Sequence, residues 1–270
     1  MPDTTFPNPA AAPAGILYSC SGERYVAEAL RSARSSLRYN RLPHLLFVSE
    51  ELTGASDVST ARFEPSANPY VDKIANMRRS PFERTLYLDT DTFVVDEIAH
   101  LLQLLDHYDI AAAYTVEGRG PHDPGVPPPF YEFNTGLLAW RASERMAAFM
   151  RSWEETYVAW SLHGDPFPTP GRGSRSGRAD QLAFRRCAWE HGVRLFVLAP
   201  EYNFRLGYPI TVQERVRVIH GRHADVETLA ARINETQLPR SWPPPLTLPQ
   251  KVMRRVRKAG RWRPLRHDGR

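Results

Sequence analysis

Short apolar runs alternating with helix-patterned stretches are the feature that most narrows what this chain can become. Residues 15–20 form an apolar run, and a helical pattern through Tyr25, Ala29, Ala33 and Leu37 follows it. Residues 45–48 read as a second strand, 70–79 as a helix, 85–88 as a buried strand and 98–105 as the helix after it. Residues 110–114 and 136–140 are strands, 143–160 and 180–190 helices, with short strands at 195–198 and 216–219. Strands alternating with helices predict an α/β fold with a mostly parallel sheet. Such sheets bind ligands at the carboxyl ends of their strands. Trp140, Trp153 and Trp160 follow amphipathic patterns and belong to the core.

The pattern is interrupted where Pro, Gly and Ser accumulate. Residues 1–14 are rich in Pro and Ala and read as a flexible N-terminus. Residues 118–129 and 164–178 can neither continue a helix nor sit in a central strand. Residues 239–249 carry Pro243, Pro244 and Pro245, a stiff spacer before a basic tail. That leaves 15–238 as the folded unit, and 270 residues suffice for an α/β domain with a full core. No run of 18 apolar residues predicts a membrane-spanning helix. Residues 1–15 lack the basic and apolar regions of a secretory signal, so none is expected. Cys20 and Cys187 cannot make a disulfide framework and read as buried thiols of a reducing, cytoplasmic compartment.

Charge is unevenly placed. The net charge is +5, yet residues 251–270 hold nine basic residues and one acid, a local +8. The rest of the chain is therefore at −3, which excludes a uniformly basic nucleic-acid-binding domain. Val252, Val256 and Ala259 recur at helical spacing within the tail. Two readings stand: a basic amphipathic helix on an anionic membrane surface, making the protein peripheral there, or a solvated tail.

The most informative segment runs from Thr85 to Val95, Thr-Leu-Tyr-Leu-Asp89-Thr-Asp91-Thr-Phe-Val-Val. A buried strand leads straight into two aspartates one residue apart. Side chains alternate along an extended chain, so the two carboxylates are expected on one side. Side by side they repel unless a cation lies between them. A hard divalent ion, Mn²⁺ or Mg²⁺, suits such oxygen ligands and bridges to a diphosphate. The plain alternative is a solvated Asp-Thr-Asp turn.

Two metal–phosphate chemistries use such a pair. A haloacid-dehalogenase type of phosphotransferase needs a later lysine and a second acidic pair. Beyond Asp91 the only lysines are Lys251 and Lys258, and no Asp-Asp pair follows. Nucleotide-sugar transfer fits more of the chain. Tyr18-Ser19-Cys-Ser21-Gly-Glu-Arg-Tyr25 follows the first strand, with Ala29 and Ser35-Ser-Leu37 after it. Lys73 precedes Asp89 by sixteen residues and is the only lysine before Lys251. Then come Leu86-Tyr-Leu88-Asp89-Thr90-Asp91, Phe133-Asn134-Thr135-Gly136, Asp180-Gln181 and Val218-Ile219-His220-Gly221.

In that order these segments resemble the glycogenin-like, retaining GT-A glycosyltransferases over roughly residues 15–222. The resemblance implies a single GT-A domain, Rossmann-like, that moves a sugar from a nucleotide diphosphate sugar to an acceptor hydroxyl. It implies a metal held by Asp89, Asp91 and His220. It implies donor contacts from Tyr18, Ser19, Ser21, Tyr25, Lys73, Leu88, Asp89, Thr90, Gly136, Gly221 and Arg222. It implies that Asp180, Gln181, Asn134 and Lys73 act at the sugar and leaving phosphate. Two departures stand out. Ser21 and Glu23 occupy the first loop where relatives often place Asp or Asn, and the usual Gly-x-x-Lys-Pro-Trp after His220 is missing, with Arg222 or His223 as the replacing cation.

Each of these residues also has a plain structural reading. Asp180 fits a helix N-cap, Asn134 a turn cap, Gly136 a close backbone approach and His220 a satisfied buried histidine. The segment Glu201-Tyr-Asn203-Phe-Arg205 reads either as help for the acceptor site or as a structural loop. A non-catalytic sugar-nucleotide or glycan-binding module and a sugar-1-phosphate nucleotidylyltransferase are the alternatives. The second is poorly served by Ser19-Cys-Ser-Gly-Glu, which is not a Gly-rich basic phosphate loop.

Overall fold

A computed structural model describes residues 13–50, 56–115, 123–163, 179–235 and 240–242. The N-terminal stretch to residue 12, the 164–178 segment, most of the proline spacer and the basic tail lie outside the described residues.

The chain opens with β1 (Ala14–Cys20), α1 (Glu23–Leu37), β2 (His44–Val48) and β3 (Ser59–Arg62). It continues with α2 (Pro69–Arg78), β4 (Arg84–Leu88), β5 (Thr92–Val94), β6 (Ile110–Tyr114) and β7 (Phe133–Arg141). Next are α3 (Glu144–His163), α4 (Ala179–Glu190), β8 (Leu195–Leu198), β9 (Phe204–Arg205) and β10 (Ile210–Val212). Last come β11 (Val218–His220), α5 (Val226–Ile233) and β12 (Arg240–Trp242).

Seven strands form the main sheet in the order β3-β2-β1-β4-β7-β6-β8. All neighbouring pairs are parallel except those of β7, which runs against β4 and β6. The sheet is thus mostly parallel, as expected. Its central strands are apolar and buried on both faces, as parallel sheets require. One face packs on α2, α3 and α4 through Phe149, Trp153 and Phe184, with Phe184 edge-to-face against the other two. The other face packs on α1 and the segment Ala99–Asp106. Trp140 and Trp153 are buried and Trp160 is packed against the same cluster; Cys20 and Cys187 are buried free thiols.

Several local expectations need correction. Residues 98–105 do not form an α-helix; Ala99–Asp106 is a run of 3-10 turns. The Asn40 side-chain oxygen accepts the N–H groups of Ile98 and Ala99 at 2.9 and 3.0 Å, and Leu101 N donates to Ile98 O. A leucine-rich run of eight residues does not distinguish the two periods. Leu37 is exposed, while α1 buries Ser32, Ser35 and Ser36 beside Ala29 and Ala33. Ser35 Oγ accepts from Val94 N and Ser32 Oγ meets Thr92 Oγ1 at 2.7 Å, so a serine face satisfies β5. The polar edge strand β3 and the short strands β5, β9, β10 and β12 carry too little apolar periodicity to be read from sequence, whereas α5 carries Val226, Leu229, Ala230 and Ile233 at helical spacing and was not assigned. α2 begins as its sequence dictates, with Pro69 in the first turn and the Asn68 side chain accepting from Tyr70 N at 3.0 Å.

Because β7 is antiparallel, its first residues share an edge with the carboxyl ends of β1 and β4. Asp89 N donates to Gly136 O at 2.8 Å, which fixes that juxtaposition. A second, three-stranded sheet, β5-β11-β9, brings a distant segment to the same edge, with His220 in register with Thr92.

Candidate active site and metal centre

The aspartate pair does not lie on an extended strand. After Leu88 the chain turns, and Thr92 N and Oγ1 both donate to Asp89 O, at 3.1 and 2.8 Å. The carboxylates nonetheless converge, because the turn folds Asp91 back toward Asp89. Gly221, at φ +123°, donates its N–H to Asp91 O at 3.0 Å and anchors the turn to the end of β11. His220 Nε2 lies 3.4 Å from Asp91 Oδ1 and 3.7 Å from Asp89 Oδ2. One ligand atom each of Asp89, Asp91 and His220 fall within 4.8 Å of one another.

The surrounding contacts hold this group in place. Gly136 forms its floor, where a Cβ would collide with His220 Cε1 and approach Asp89 Oδ2 to 2.7 Å. His220 Nδ1 is 2.7 Å from Asn203 Oδ1, and Asn203 Nδ2 donates to Asn134 Oδ1 at 2.8 Å. Tyr87 donates to Asp89 Oδ1 at 3.0 Å. Burial pushes the Asp91 carboxyl up, but the adjoining His220 ring and the Arg222 guanidinium outweigh it and hold Asp91 well below the usual carboxylate range.

Lys73 is buried in the middle of the site. Its ammonium is 2.8 Å from Asp89 Oδ1 and 3.7 Å from Asp180 Oδ2, and it donates to Thr135 Oγ1 at 3.1 Å. Burial disfavours its charge, yet Asp89 and Asp180 overcome that and raise its pKa above the ordinary lysine value. Asp180 is in the first turn of α4 rather than at its N-cap. Thr135 Oγ1 donates to its Oδ2 at 2.7 Å, and its buried Oδ1 has no hydrogen-bond partner. Burial pushes the Asp180 carboxyl up, with Lys73 and Thr135 opposing. Trp153 Nε1 donates to Asp180 O at 2.7 Å, pinning this end of α4 to α3.

A cleft of about 330 Å³ opens over this group. Ser19, Ser21, Tyr25, Lys73, Asp89, Thr90, Asp91, Asn134, Asp180, Gln181, His220 and Arg222 line it. Tyr18 and Leu88 do not: both side chains are fully buried in the core, where the Tyr18 hydroxyl accepts from Ser32 Oγ and its ring stacks on His44. Strand alternation explains this, since neighbours of cleft-facing residues point into the sheet packing. Ser21 donates to Asp72 Oδ2 at 2.8 Å, and Ser19 accepts from Asn76 at 2.9 Å. Arg222 forms a two-pronged pair with Glu28 at 2.8 and 2.9 Å and lies 3.6 Å from Asp91 Oδ2.

Site residues not assigned a role from sequence include Tyr70, Tyr87, Thr135, Arg205 and Asn203. Tyr70 precedes Lys73 by one helical turn, a spacing that marks one helix face. Thr135 sits inside the Asn134–Gly136 motif. Asn203 and Arg205 belong to the segment left open between two readings. That segment divides: Asn203 and Arg205 face the site, whereas buried Glu201 accepts from Gln213 N and Glu214 N and holds a loop.

No protein-family model and no curated protein matches the chain. Solved structures do match. The glycosyltransferase GlyE of Streptococcus pneumoniae TIGR4 aligns over 84% of this chain and 58% of its own, with a TM-score of 0.56 and 15% identity. An active-site mutant of LgtC aligns over 83% of this chain and 97% of its own, with a TM-score of 0.52 and 13% identity. The galactosyltransferase LgtC in complex with donor and acceptor sugar analogs gives 0.51 at 13% identity and the same coverage. The fold is that of the GT-A glycosyltransferases. This chain spans a little under three fifths of the GlyE chain and nearly all of LgtC. Among its described residues, no helix is long and apolar enough to cross a membrane.

The residues present fit a divalent cation. The donor set is two carboxylates and an imidazole. Asp89, Asp91, Asp180 and Glu28 are paired with Lys73, Arg222 and Arg24, so the formal charge of the group is one short of neutral. The floor at Gly136 leaves no room for a side chain that would fill the space beside His220 and Asp89.

Proposed function

We propose that this protein is a metal-dependent, retaining glycosyltransferase that moves a sugar from a nucleotide diphosphate sugar to an acceptor hydroxyl. The observation that carries this reading is the convergence of Asp89, Asp91 and His220 with Lys73 and Asp180 in one cleft at the strand ends. LgtC, of the same fold, was solved with donor and acceptor sugar analogs, which supports a sugar acceptor here.

In this reading Asp89, Asp91 and His220 hold Mn²⁺ or Mg²⁺. When bound, the ion supplies Lewis acidity at the leaving diphosphate. Arg222, half-exposed at the cleft rim beside Asp91, adds a guanidinium for phosphate oxygens, filling the place of the lysine expected after His220. Ser19, Ser21, Tyr25 and Thr90, which line the cleft, are read as its nucleotide end, with Gly221 behind them anchoring the Asp91 turn. Lys73 keeps Asp89 and Asp180 close despite their like charge and sets a positive charge near the departing phosphate. Asp180 and the Gln181 amide, both lining the cleft, are read as facing the sugar, where positive charge develops at the anomeric carbon. Asn134 orients the sugar hydroxyls. The anomeric carbon–oxygen bond breaks with its electron pair leaving on the diphosphate. The acceptor oxygen bonds to the same face, and its proton passes to a departing phosphate oxygen.

The basic tail, outside the described residues, is read as a peripheral anchor on the cytoplasmic face of an anionic membrane. The test of the chemistry is Asp91→Asn. It should lower Mn²⁺-dependent release of nucleoside diphosphate by about a hundredfold or more, with an unchanged circular dichroism spectrum. Full activity in the variant, or activity indifferent to EDTA, would sink the metal-dependent mechanism.

A further inference from the structure

The buried polar chain behind His220 has a direction, and a backbone amide sets it. Gly136 N–H can only donate, and it donates to Asn134 Oδ1 at 3.1 Å. That decides which end of the Asn134 amide faces inward. The same oxygen lies 2.8 Å from the Asn203 side chain, so the atom Asn203 offers there is its NH₂. The other end of Asn203, an oxygen, then faces His220 Nδ1 at 2.7 Å. That oxygen carries no proton, so the proton of the pair belongs to Nδ1. The neutral ring is left with its lone pair on Nε2, the nitrogen beside Asp91 and Asp89. Asn134, Asn203 and His220 are all buried. Turning either amide over would set oxygen against oxygen or N–H against N–H where desolvation is most costly.

We propose that Asn203 is a positioning residue that fixes His220 in the tautomer able to bind a divalent cation through Nε2. The assignment rests on reading Asp89, Asp91 and His220 as the cation site. Imidazole ligands elsewhere owe their ring orientation to such a partner on the second nitrogen. Here the information comes from Gly136, whose N–H polarises two side-chain amides in series. Gly136 thus serves the site twice, by its missing side chain and by its amide proton.

The tautomer is readable without any metal. Long-range proton–nitrogen correlation spectra of the ¹⁵N-labelled, metal-free full chain, recorded where the ring's own ¹⁵N shifts show His220 to be neutral, separate protonated from bare ring nitrogens. The wild type should show His220 protonated at Nδ1 and bare at Nε2. Asn203→Leu, which removes the acceptor, should move the proton to Nε2 and weaken Mn²⁺ binding, followed by the electron paramagnetic resonance of free Mn²⁺, by about tenfold or more. A wild-type ring protonated at Nε2 overturns the proposal even if the leucine variant does not fold. Undiminished Mn²⁺ affinity in a folded Asn203→Leu overturns it as well. Failure of the wild type to bind Mn²⁺, with Nδ1 protonated as expected, would instead overturn the cation-site reading on which the proposal rests.

Discussion

A methyl group at position 136 would run into His220 Cε1 and come within 2.7 Å of Asp89 Oδ2. Neither neighbour can retreat cheaply, since His220 is tied to Asn203 and Asp89 to Lys73 and Tyr87. Gly136→Ala should therefore cost activity far more than stability. About 1–3 kcal/mol of overpacking is expected in chemical denaturation, with donor cleavage down by about a hundredfold. Parallel loss of fold and activity would argue against a site-specific effect. His44 supplies a pH-dependent counterpart outside the site. It is buried in β2, its Nδ1 meets Leu42 O at 2.8 Å, and its Nε2 is buried without a partner. Burial lowers its pKa below the ordinary histidine value, with the Leu42 carbonyl opposing. The unfolded chain thus binds a proton more readily, so stability is whole above about pH 6.5 and falls as the pH drops through the folded value. Thermal melts of the wild type across that range should show the fall, and His44→Gln should flatten it. Asp89, Asp91, Lys73 and His220 were legible in the sequence because each carries the charge or lone pair the chemistry uses. Asn203 was not, because its contribution passes through another side chain and leaves no spacing signature.

Among the elements, the segment Ala99–Asp106 has its first turn tied by a residue from another part of the chain. Asn40 accepts from Ile98 N and Ala99 N and donates to Ser36 O. Asn40→Ala would leave two buried backbone donors without partners, a loss of about 2–4 kcal/mol, measurable by urea denaturation. A loss under about 0.5 kcal/mol would mean that other groups take over both donors. The same residue explains why helical periodicity misled here: the leucines Leu101, Leu102 and Leu105 bury correctly under either helix type, and the type was decided by a side chain sixty residues upstream. Strands β1, β2, β4 and β6 were legible because both faces are buried and the apolar run is unbroken. Strand β5 was not, because its partners are the serine face of α1 and the three-residue β11.

For the whole molecule, the alternation of strands and helices foretold the α/β sheet, but not that β7 would run antiparallel in its middle. Direction is decided by the connection, and periodicity carries no record of it. The order of motifs did better: segments scattered from Ser19 to Arg222 line one cleft. The basic tail belongs to this scale too. Deleting residues 251–270 removes a local charge of +8, and each basic residue near an anionic surface is worth about 1 kcal/mol. The truncated protein should stop co-sedimenting with anionic vesicles at low salt while still cleaving soluble donor. Equal pelleting of both forms would show that the tail is no anchor.

The small sheet that joins β5 to β11 has a further consequence for how the protein is made. A chain synthesised as far as Leu198 already holds all seven strands of the main sheet. It holds Asp89 and Asp91 but not His220, which lies 129 residues beyond Asp91, nor the Gly221 N–H that ties down the Asp91 turn. On the ribosome, scaffold and site therefore mature at different moments. The sheet can assemble while the cleft still lacks one wall, so under the proposed function a nascent chain should not cleave sugar donors until the last strands dock.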